Sequence, residues 1–130
     1  MTRSFFTDAE LACRCCGELN LAEGFREKLN ELRIAVNHPM TVTSCCRCQP
    51  HNSRVGGKPS SFHLTTNKWG CCAADISCHD WTGAKRWKFI KTAMEHGWSI
   101  GINWTKGFIH LDIRDHYPAS GFKEPMIFPY

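Results

Sequence analysis

The fold is decided by the stretch Phe108-Ile109-His110-Leu111-Asp112-Ile113. Side chains alternate between the two faces of a β-strand, so the three aliphatic residues of this run point together into a core. The opposite face carries His110 and Asp112 beside an aromatic ring. The alternation therefore predicts a strand. The histidine next to an aspartate on its second face indicates a functional site, with an ordinary surface pair as the alternative.

Three further stretches predict strands that pair with this one. Residues 98–103 are β-rich and lead into residues 108–114 through Trp104-Thr105-Lys106-Gly107, which is the pattern of a β-hairpin. Residues 73–77 are apolar enough for a short buried strand, and residues 40–43 form another short β-rich run. We therefore expect a small antiparallel sheet.

Two helices are predicted before the first strand of the sequence. Thr7-Asp8-Ala9-Glu10 has the spacing of a capping box, which starts a short helix. A longer helix is predicted over residues 21–36, capped by Asn20 and ended before Pro39. Its apolar residues recur on one helical face; they are Phe25, Leu29, Leu32 and Val36.

A third helix is predicted over residues 82–96, where Trp87, Ile90 and Met94 fall on one face and Gly97 ends the helix. The rest of the chain lacks periodicity. Residues 44–72 are expected to be irregular apart from a helical turn near Asn52, and residues 116–130 to form an irregular tail. This order of elements predicts an α+β domain spanning residues 1–130, a small antiparallel sheet with two or three helices.

The chain is mildly basic, with a formal net charge of +4. The only local concentration of basic residues lies in the third predicted helix, where they are expected to form its solvent-exposed face. Weak binding to an anionic polymer is the alternative. These residues are Lys85, Arg86, Lys88 and Lys91. Residues 1–8 lack the apolar core of a signal peptide, and no membrane span is expected. We therefore expect the protein to be made in a cytoplasm.

Nine cysteines stand in three groups along the chain. An odd number excludes complete internal pairing, and reduced thiols are the default without export. The patterns CxCC and CCxC differ from the usual CxxC of zinc sites, so we expect buried free thiols. Disulfides formed after release from the cell and a second, structural zinc are the alternatives. The groups are Cys13, Cys15 and Cys16; Cys45, Cys46 and Cys48; and Cys71, Cys72 and Cys78.

His63, Asp75 and His110 form a candidate set of metal ligands, called here the His–Asp–His cluster. Asp75 is flanked by small and apolar residues, and a buried carboxylate needs a partner or a metal. Catalytic zinc sites use three such ligands and leave a fourth position for water. Taken singly, each residue has a plainer interpretation, such as a hydrogen-bonded histidine or a turn-capping aspartate.

Several short blocks that follow one another along the chain resemble zinc D-Ala-D-Ala carboxypeptidase-like peptidases. This group includes VanY- and VanX-type enzymes and phage L-alanyl-D-glutamate endopeptidases. The resemblance covers roughly residues 5–115 and depends on the order of the whole set. The blocks are Thr7-Asp8-Ala9-Glu10-Leu11-Ala12-Cys13, Val42-Thr43-Ser44-Cys45-Cys46-Arg47-Cys48, His51-Asn52, Val55-Gly56-Gly57, Ser61-Phe62-His63, Ala73-Ala74-Asp75-Ile76 and Phe108-Ile109-His110-Leu111-Asp112.

The resemblance implies a hedgehog/D-Ala-D-Ala peptidase-like fold in which the His–Asp–His cluster holds one catalytic zinc. It implies that Arg47 binds or polarises the substrate, and that Ser44 and Ser61 line the cleft. An arginine suits this part because its permanent, fork-shaped charge matches a carboxylate or a developing oxyanion. The implied substrate is the peptidoglycan stem peptide, which is rich in carboxylates.

Two features depart from the family pattern. The first two ligands usually lie seven positions apart, but His63 and Asp75 are 12 apart, so a loop must bulge out between them. Relatives often carry an acid shortly before the third ligand, whereas residues 103–109 contain none. Asp112 is our candidate for the general base, with Asp115 and Glu124 as weaker candidates.

The leading hypothesis is a zinc peptidase of the bacterial wall, such as a phage endolysin or a virion-associated lysin. The alternative is a non-catalytic phage structural or tail-associated protein that keeps the fold and contacts other virion proteins. A third hypothesis, prompted by the cysteines and the basic charge, is a cysteine-zinc module that binds nucleic acid, for which we expect salt-dependent binding.

Overall fold

The structure, a computed structural model, describes residues 5–130. Its sheet has the strand order β1-β2-β4-β3-β5. The strands are β1 (Val42–Ser44), β2 (Ala73–Ser77), β3 (Ser99–Asn103), β4 (Phe108–Asp112) and β5 (Ile127–Pro129). The helices are α1 (Asp8–Leu11), α2 (Phe25–Val36), α3 (Gln49–Arg54) and α4 (Gly83–Glu95). These elements confirm the predicted α+β class.

The edge strand β5 corrects two predictions. It runs parallel to β3, with Ile100 opposite Ile127, so the sheet is mixed and not wholly antiparallel. It also lies within residues 116–130, which we expected to be irregular. An edge strand presents unpaired backbone groups, and the tail pairs with them: the Ile100 N–H donates to the Met126 carbonyl at 2.8 Å and the Tyr130 N–H to Ile102 at 2.9 Å.

Between β4 and β5 the chain makes two 3₁₀ turns, Arg114–His116 and Pro118–Ser120. The hairpin of β3 and β4 and the buried strand β2 agree with the sequence. The helical turn expected near Asn52 is α3.

The core lies between one face of the sheet and helices α2 and α4. Removing a large aliphatic or aromatic side chain from water contributes about 1.5–3 kcal/mol, so this layer supplies much of the stability. Its fully buried members include Phe25, Leu29, Leu32, Ile76, Phe89, Trp98, Ile100, Ile109 and Leu111.

Helix α2 begins later than predicted. Gly24, with φ +81°, precedes its first residue, Phe25. Leu21 instead forms a parallel bridge with Cys71, and the Asn20 side chain donates to the Thr65 carbonyl at 2.8 Å. The residues before α2 therefore contact the loop that precedes β2. These contacts prevent the helix that their sequence pattern predicted.

Helix α4 has the predicted position but a different buried face. Phe89 and Ala93 are buried, and Ile90 of the predicted face is partly buried against the core, whereas Trp87 and Met94 are 63% and 53% exposed. Two apolar faces compete in this sequence, and packing against the sheet selects the one that contains Phe89. Gly97 ends the helix as expected, with φ +81°.

The capping box predicted at Thr7 is confirmed, because the Thr7 hydroxyl accepts from the Glu10 N–H at 3.2 Å and the Glu10 carboxylate accepts from the Thr7 N–H at 3.1 Å. Across residues 5–130, none of the helices combines the length and the apolarity needed to cross a bilayer. The prediction that residues 1–8 carry no signal peptide falls partly on residues 1–4, which lie outside the described part.

Candidate metal centre

The sheet register brings two of the three candidate ligands side by side. Asp75 on β2 is directly opposite His110 on β4, so their side chains share the sheet face that points away from α2 and α4. His63 comes from the irregular segment before β2. The structure therefore brings all three members of the His–Asp–His cluster together, and each is at most 3% exposed.

One carboxylate oxygen of Asp75 is the meeting point of the cluster. Its Oδ1 lies 3.1 Å from His63 Nε2 and 3.2 Å from His110 Nδ1. Ligand atoms about 2.0–2.1 Å from a tetrahedral zinc would stand roughly 3.3 Å apart. Two of the three spacings thus already match those of zinc ligands, and all three ligand atoms lie within 4.8 Å of one another.

The far side of each imidazole decides which nitrogen faces Asp75 without a proton. His63 Nδ1 lies 2.7 Å from the Cys45 carbonyl oxygen, which can only accept, so Nδ1–H donates and Nε2 is free in the neutral ring. His110 Nε2 lies 2.7 Å from Asp112 Oδ2 and donates to it, which leaves Nδ1 free. With both rings neutral, three acceptor atoms converge, and a cation between them would satisfy all three. The residues therefore fit a zinc ion, including the outer hydrogen bonds that usually orient its histidine ligands.

The pKa values of Asp75, His63 and His110 are shifted by burial and by the contacts among these residues. Burial raises the pKa of Asp75, but His63 and His110 hold it well below its ordinary range. Burial lowers the pKa of His63. Burial also lowers the pKa of His110, yet the hydrogen bonds with Asp112 and Asp75 outweigh it and leave that pKa raised. The centre thus holds an ionised Asp75 and attracts positive charge.

Arg47 lies against the cluster and is itself held on three sides. Its Nη2 donates to Asp75 Oδ2 at 3.1 Å, its Nε to the Ser44 hydroxyl at 2.9 Å and its Nη1 to Asn52 Oδ1 at 3.2 Å. Ser44 therefore orients Arg47. Ser61 contacts the cluster differently, since its hydroxyl accepts from the His63 N–H at 3.1 Å.

Asn52 also belongs to the site, although the sequence pattern predicted only a helical turn near it. Its amide donates to the Lys58 carbonyl at 2.9 Å, which fixes the oxygen that receives Arg47. A Cβ on Gly57 would lie 2.0 Å from Asn52 Oδ1, so a glycine is required there. The signal was present in the blocks His51-Asn52 and Val55-Gly56-Gly57.

Asp112, our candidate base, is enclosed by its partners. Its Oδ1 accepts from the Arg114 N–H at 3.0 Å and from Arg114 Nε at 2.9 Å, while its Oδ2 accepts from Arg114 Nη2 and His110 at 2.7 Å. Burial raises the pKa of Asp112, but these partners lower it to about 2. Within residues 5–130, no hydrogen bond joins the weaker candidates Asp115 and Glu124 to the cluster. The sequence did not indicate a role for Arg114, because its contacts with Asp112 depend on how the chain turns after β4.

The C-terminal strand places aromatic rings over the centre. The Tyr130 ring centroid lies 4.5 Å from that of His110, and the Phe128 centroid lies 5.7 Å from it. The Tyr130 side chain interacts with Arg47, and burial together with the nearby Asp75 charge raises the pKa of Tyr130 to about 12. This aromatic cover depends on the pairing of β5 with β3, so no local sequence pattern predicts it.

The loop between the first two ligands is pinned at both ends. On the His63 side, the Arg47 N–H donates to the His63 carbonyl at 2.9 Å and the Thr65 N–H donates to the Arg47 carbonyl at 3.0 Å. On the Asp75 side, the Cys72 N–H donates to the Phe62 carbonyl at 3.0 Å. The predicted bulge between the ligands is therefore accommodated without separating them.

A buried cluster of two histidines and a carboxylate lies beside an arginine on the sheet of a small α+β domain. Metal-dependent hydrolases use ligand sets of this kind. The sequence matches the Peptidase M15 family over residues 4–112. The chain belongs to this family, whose members are zinc-dependent metallopeptidases. The matched span includes the whole His–Asp–His cluster and Arg47. A comparison with curated proteins finds no match.

Proposed function

We propose that this chain is a zinc-dependent peptidase that hydrolyses an amide bond in peptidoglycan stem peptides. The observation that carries the proposal is the convergence of His63 Nε2, Asp75 Oδ1 and His110 Nδ1. Membership of the M15 family supports the same conclusion. In this proposal these three residues hold the ion. A bound zinc supplies an activated water and polarises the scissile carbonyl.

Arg47 is proposed to bind the oxygen atoms of the substrate. A guanidinium has five N–H donors, and three of them are committed to Ser44, Asn52 and Asp75. The Tyr130 side chain interacts with the same guanidinium. A substrate carboxylate or a developing oxyanion would take the place of the Tyr130 hydroxyl there. Ser44 and Asn52 keep the fork in place, so little ordering of Arg47 is needed when substrate binds.

Asp112 is proposed to act through His110. Both of its oxygens are engaged and the residue is 0% exposed, so its carboxylate is directed at the imidazole. A carboxylate behind a histidine ligand fixes the ring and raises its basicity. Asp112 is then a positioning residue, in contrast to the general base that the sequence led us to expect.

The setting that we propose is the bacterial wall, with the chain acting as a phage endolysin or a virion-associated lysin. This setting is supported by the resemblance of the sequence blocks to phage endopeptidases. A non-catalytic tail-associated protein is the alternative, and the aromatic cover over His110 is the observation that favours it.

The test uses zinc-loaded full-length chain on permeabilised Gram-negative cells and on purified peptidoglycan. Turbidity is followed over time, and the released fragments are identified by mass spectrometry. We expect lysis by the unmodified protein, and its loss with His63→Ala. The matched control is His79→Ala, because His79 is an exposed histidine outside the cluster.

The outcomes separate the candidate functions. Removal of terminal residues identifies a carboxypeptidase, and internal cuts identify an endopeptidase. If the unmodified protein binds zinc through His63 but neither lyses cells nor cuts peptidoglycan, the peptidase proposal fails and the tail-associated protein replaces it.

A further inference from the structure

Three cysteine thiols from two distant parts of the chain meet near the surface, outside the His–Asp–His cluster. Cys13 and Cys16 lie in the turn after α1, and Cys48 directly precedes α3. Their Sγ atoms all lie within 4.8 Å of one another. Cys13 is buried, Cys48 is partly buried and Cys16 is exposed, so solvent reaches this group, which we call the outer thiol cluster.

The turn that carries the first two thiols has the shape of a metal-binding knuckle. Cys13-Arg14-Cys15-Cys16-Gly17 contains a CxxC pair, Cys13 and Cys16, which the CxCC interpretation overlooked. The Gly17 N–H donates to the Cys13 carbonyl at 2.8 Å, and the Cys13 N–H donates to the Glu18 carbonyl at 2.8 Å. Gly17 has φ +77°, a conformation that favours glycine. The closed turn therefore presents both sulfurs to one side, and CxxC is a spacing that structural zinc sites use.

Hydrogen-bond donors point at the sulfur atoms of this cluster. The Cys48 N–H donates to Cys13 Sγ at 3.3 Å, and Arg54 Nη2 donates to Cys15 Sγ at 2.7 Å. The Cys15 thiol also contacts the Cys48 thiol. Donors of this kind stabilise thiolates, which are the form in which cysteine binds metals. Cys15 lies outside the three mutually close sulfurs, and its interaction with Cys48 makes it the candidate for a fourth ligand.

We infer that Cys13, Cys16 and Cys48 hold a structural zinc ion, with Cys15 as the fourth ligand. Four sulfurs at about 2.3 Å from a tetrahedral zinc stand about 3.8 Å apart, so the three clustered sulfurs close on the ion by shifts of about 1 Å. The exposed Cys15 side chain turns toward the ion to complete the site. Each ligand thiol gives up its proton on binding, and the protons pass to solvent. The negative charge that four thiolates leave on the site is offset by the Arg54 guanidinium.

A second group of thiols, Cys45, Cys46 and Cys71, serves as the internal comparison. Its Sγ atoms are also within 4.8 Å of one another, but all three residues are buried. Cys71 Sγ donates to the Ala73 carbonyl at 3.5 Å, so this sulfur carries its proton. Cys71 therefore packs as a neutral thiol in the core, whereas the outer thiol cluster is accessible to solvent and its Cys13 sulfur accepts a backbone N–H.

The inferred ion would join two elements that surround the peptidase site. Cys48 directly follows Arg47, and Cys13 lies at the end of the N-terminal segment. A backbone hydrogen bond from the Cys46 N–H to the Leu11 carbonyl, at 3.0 Å, already links these segments. Zinc at the outer cluster would strengthen this link and limit the movement of Arg47.

The experiment counts metal ions per folded chain by mass spectrometry of the elements, after purification without chelators. We expect about two zinc ions in the unmodified protein. His110→Ala should lose one ion and keep the other. Cys16→Ser should also lose one ion while keeping the one that depends on His110. Cys78→Ala is the control, because Cys78 lies outside both thiol groups.

Cobalt substitution gives a second readout that does not depend on activity. Sulfur-to-cobalt charge transfer in the near ultraviolet should appear in the unmodified protein and in His110→Ala, and should weaken in Cys15→Ser. Cys15 is exposed, so this variant remains informative if Cys16→Ser fails to fold.

One zinc ion in the unmodified protein, absent from His110→Ala, would overturn the inference and leave the proposed peptidase intact. Loss of the second ion in Cys45→Ala, with its retention in Cys16→Ser and Cys15→Ser, would overturn it by moving the site to the core thiols.

Discussion

The two faces of β4 are both buried, yet they are built from opposite kinds of side chain. On one face Ile109 and Leu111 are 0% exposed and pack against the helices. On the other, Asp112 is 0% and His110 is 3% exposed, and both belong to a continuous hydrogen-bonded network. The apolar face stabilises the fold by removing surface from water. The buried polar face is tolerated because its groups are hydrogen-bonded to one another. It contributes the orientation of the His110 imidazole toward Asp75.

The largest effect on stability is expected on the apolar face. Leu111→Ala should destabilise the protein by about 2–5 kcal/mol, because it leaves a cavity in a packed layer. Zinc content per folded chain should stay the same. Urea unfolding of the zinc-loaded protein measures the change. Ile34→Ala is the matched control, since Ile34 is 52% exposed and its loss should matter little. A loss of zinc from folded Leu111→Ala would show that the two faces are not independent.

The next largest effect is expected on the polar face, at Asp112. Asp112→Asn should weaken zinc binding about 10–100-fold, because the His110 imidazole loses its charged partner. Competition with a chelator measures the affinity, and Asp80→Asn at an exposed position is the control. If zinc affinity is unchanged while turnover falls, Asp112 takes part in the reaction itself, as the sequence led us to expect.

A smaller effect is expected at Gly101, which lies opposite His110 on β3. A Cβ there would stand 2.6 Å from Phe128 Cε2 and 2.9 Å from Tyr130 Cβ. Gly101→Ala should therefore push the aromatic cover away and destabilise the protein by about 1–3 kcal/mol. Thermal unfolding and tyrosine fluorescence report the two changes. The control is Gly83→Ala, where a Cβ meets nothing within 4 Å. Equal stability of the two variants would mean that the cover is loosely held.

The smallest effect is expected from Tyr130→Phe. The variant keeps the ring over His110 but loses the hydroxyl that interacts with Arg47. A change of about 0.5–1.5 kcal/mol, seen as a several-fold lower KM, is expected because the substrate no longer displaces that hydroxyl. Steady-state kinetics on peptidoglycan fragments measure it. A fall in kcat with unchanged zinc content would instead assign the phenol a part in the chemical step.

The sequence predicted the features that depend on local pattern. The alternation in β4 identified both of its faces, and the pairing of β4 with β2 then places His110 opposite Asp75. The spacing of Phe25, Leu29 and Leu32 identified the buried face of α2. Such patterns are fixed by neighbours in the chain, so they can be found without coordinates.

The sequence did not predict the features that depend on distant contacts. β5 spans Ile127–Pro129, too short for a periodic signal, and it exists because the edge of β3 is available. The buried face of α4 is chosen by packing, since two of its faces are apolar. The enclosure of Asp112 by Arg114 likewise follows from the turn after β4, in which the guanidinium folds back on the carboxylate.

The pinned loop between His63 and Asp75 has a practical consequence for protein engineering. Because hydrogen bonds clamp both of its ends, the number of residues between them is uncoupled from the distance between the ligands. Thr66 and Lys68 are exposed within it. A fluorescent label or a grafted targeting peptide inserted beside these two residues would leave the neighbouring chemistry in place, since lengthening a surface loop adds only a small entropic cost.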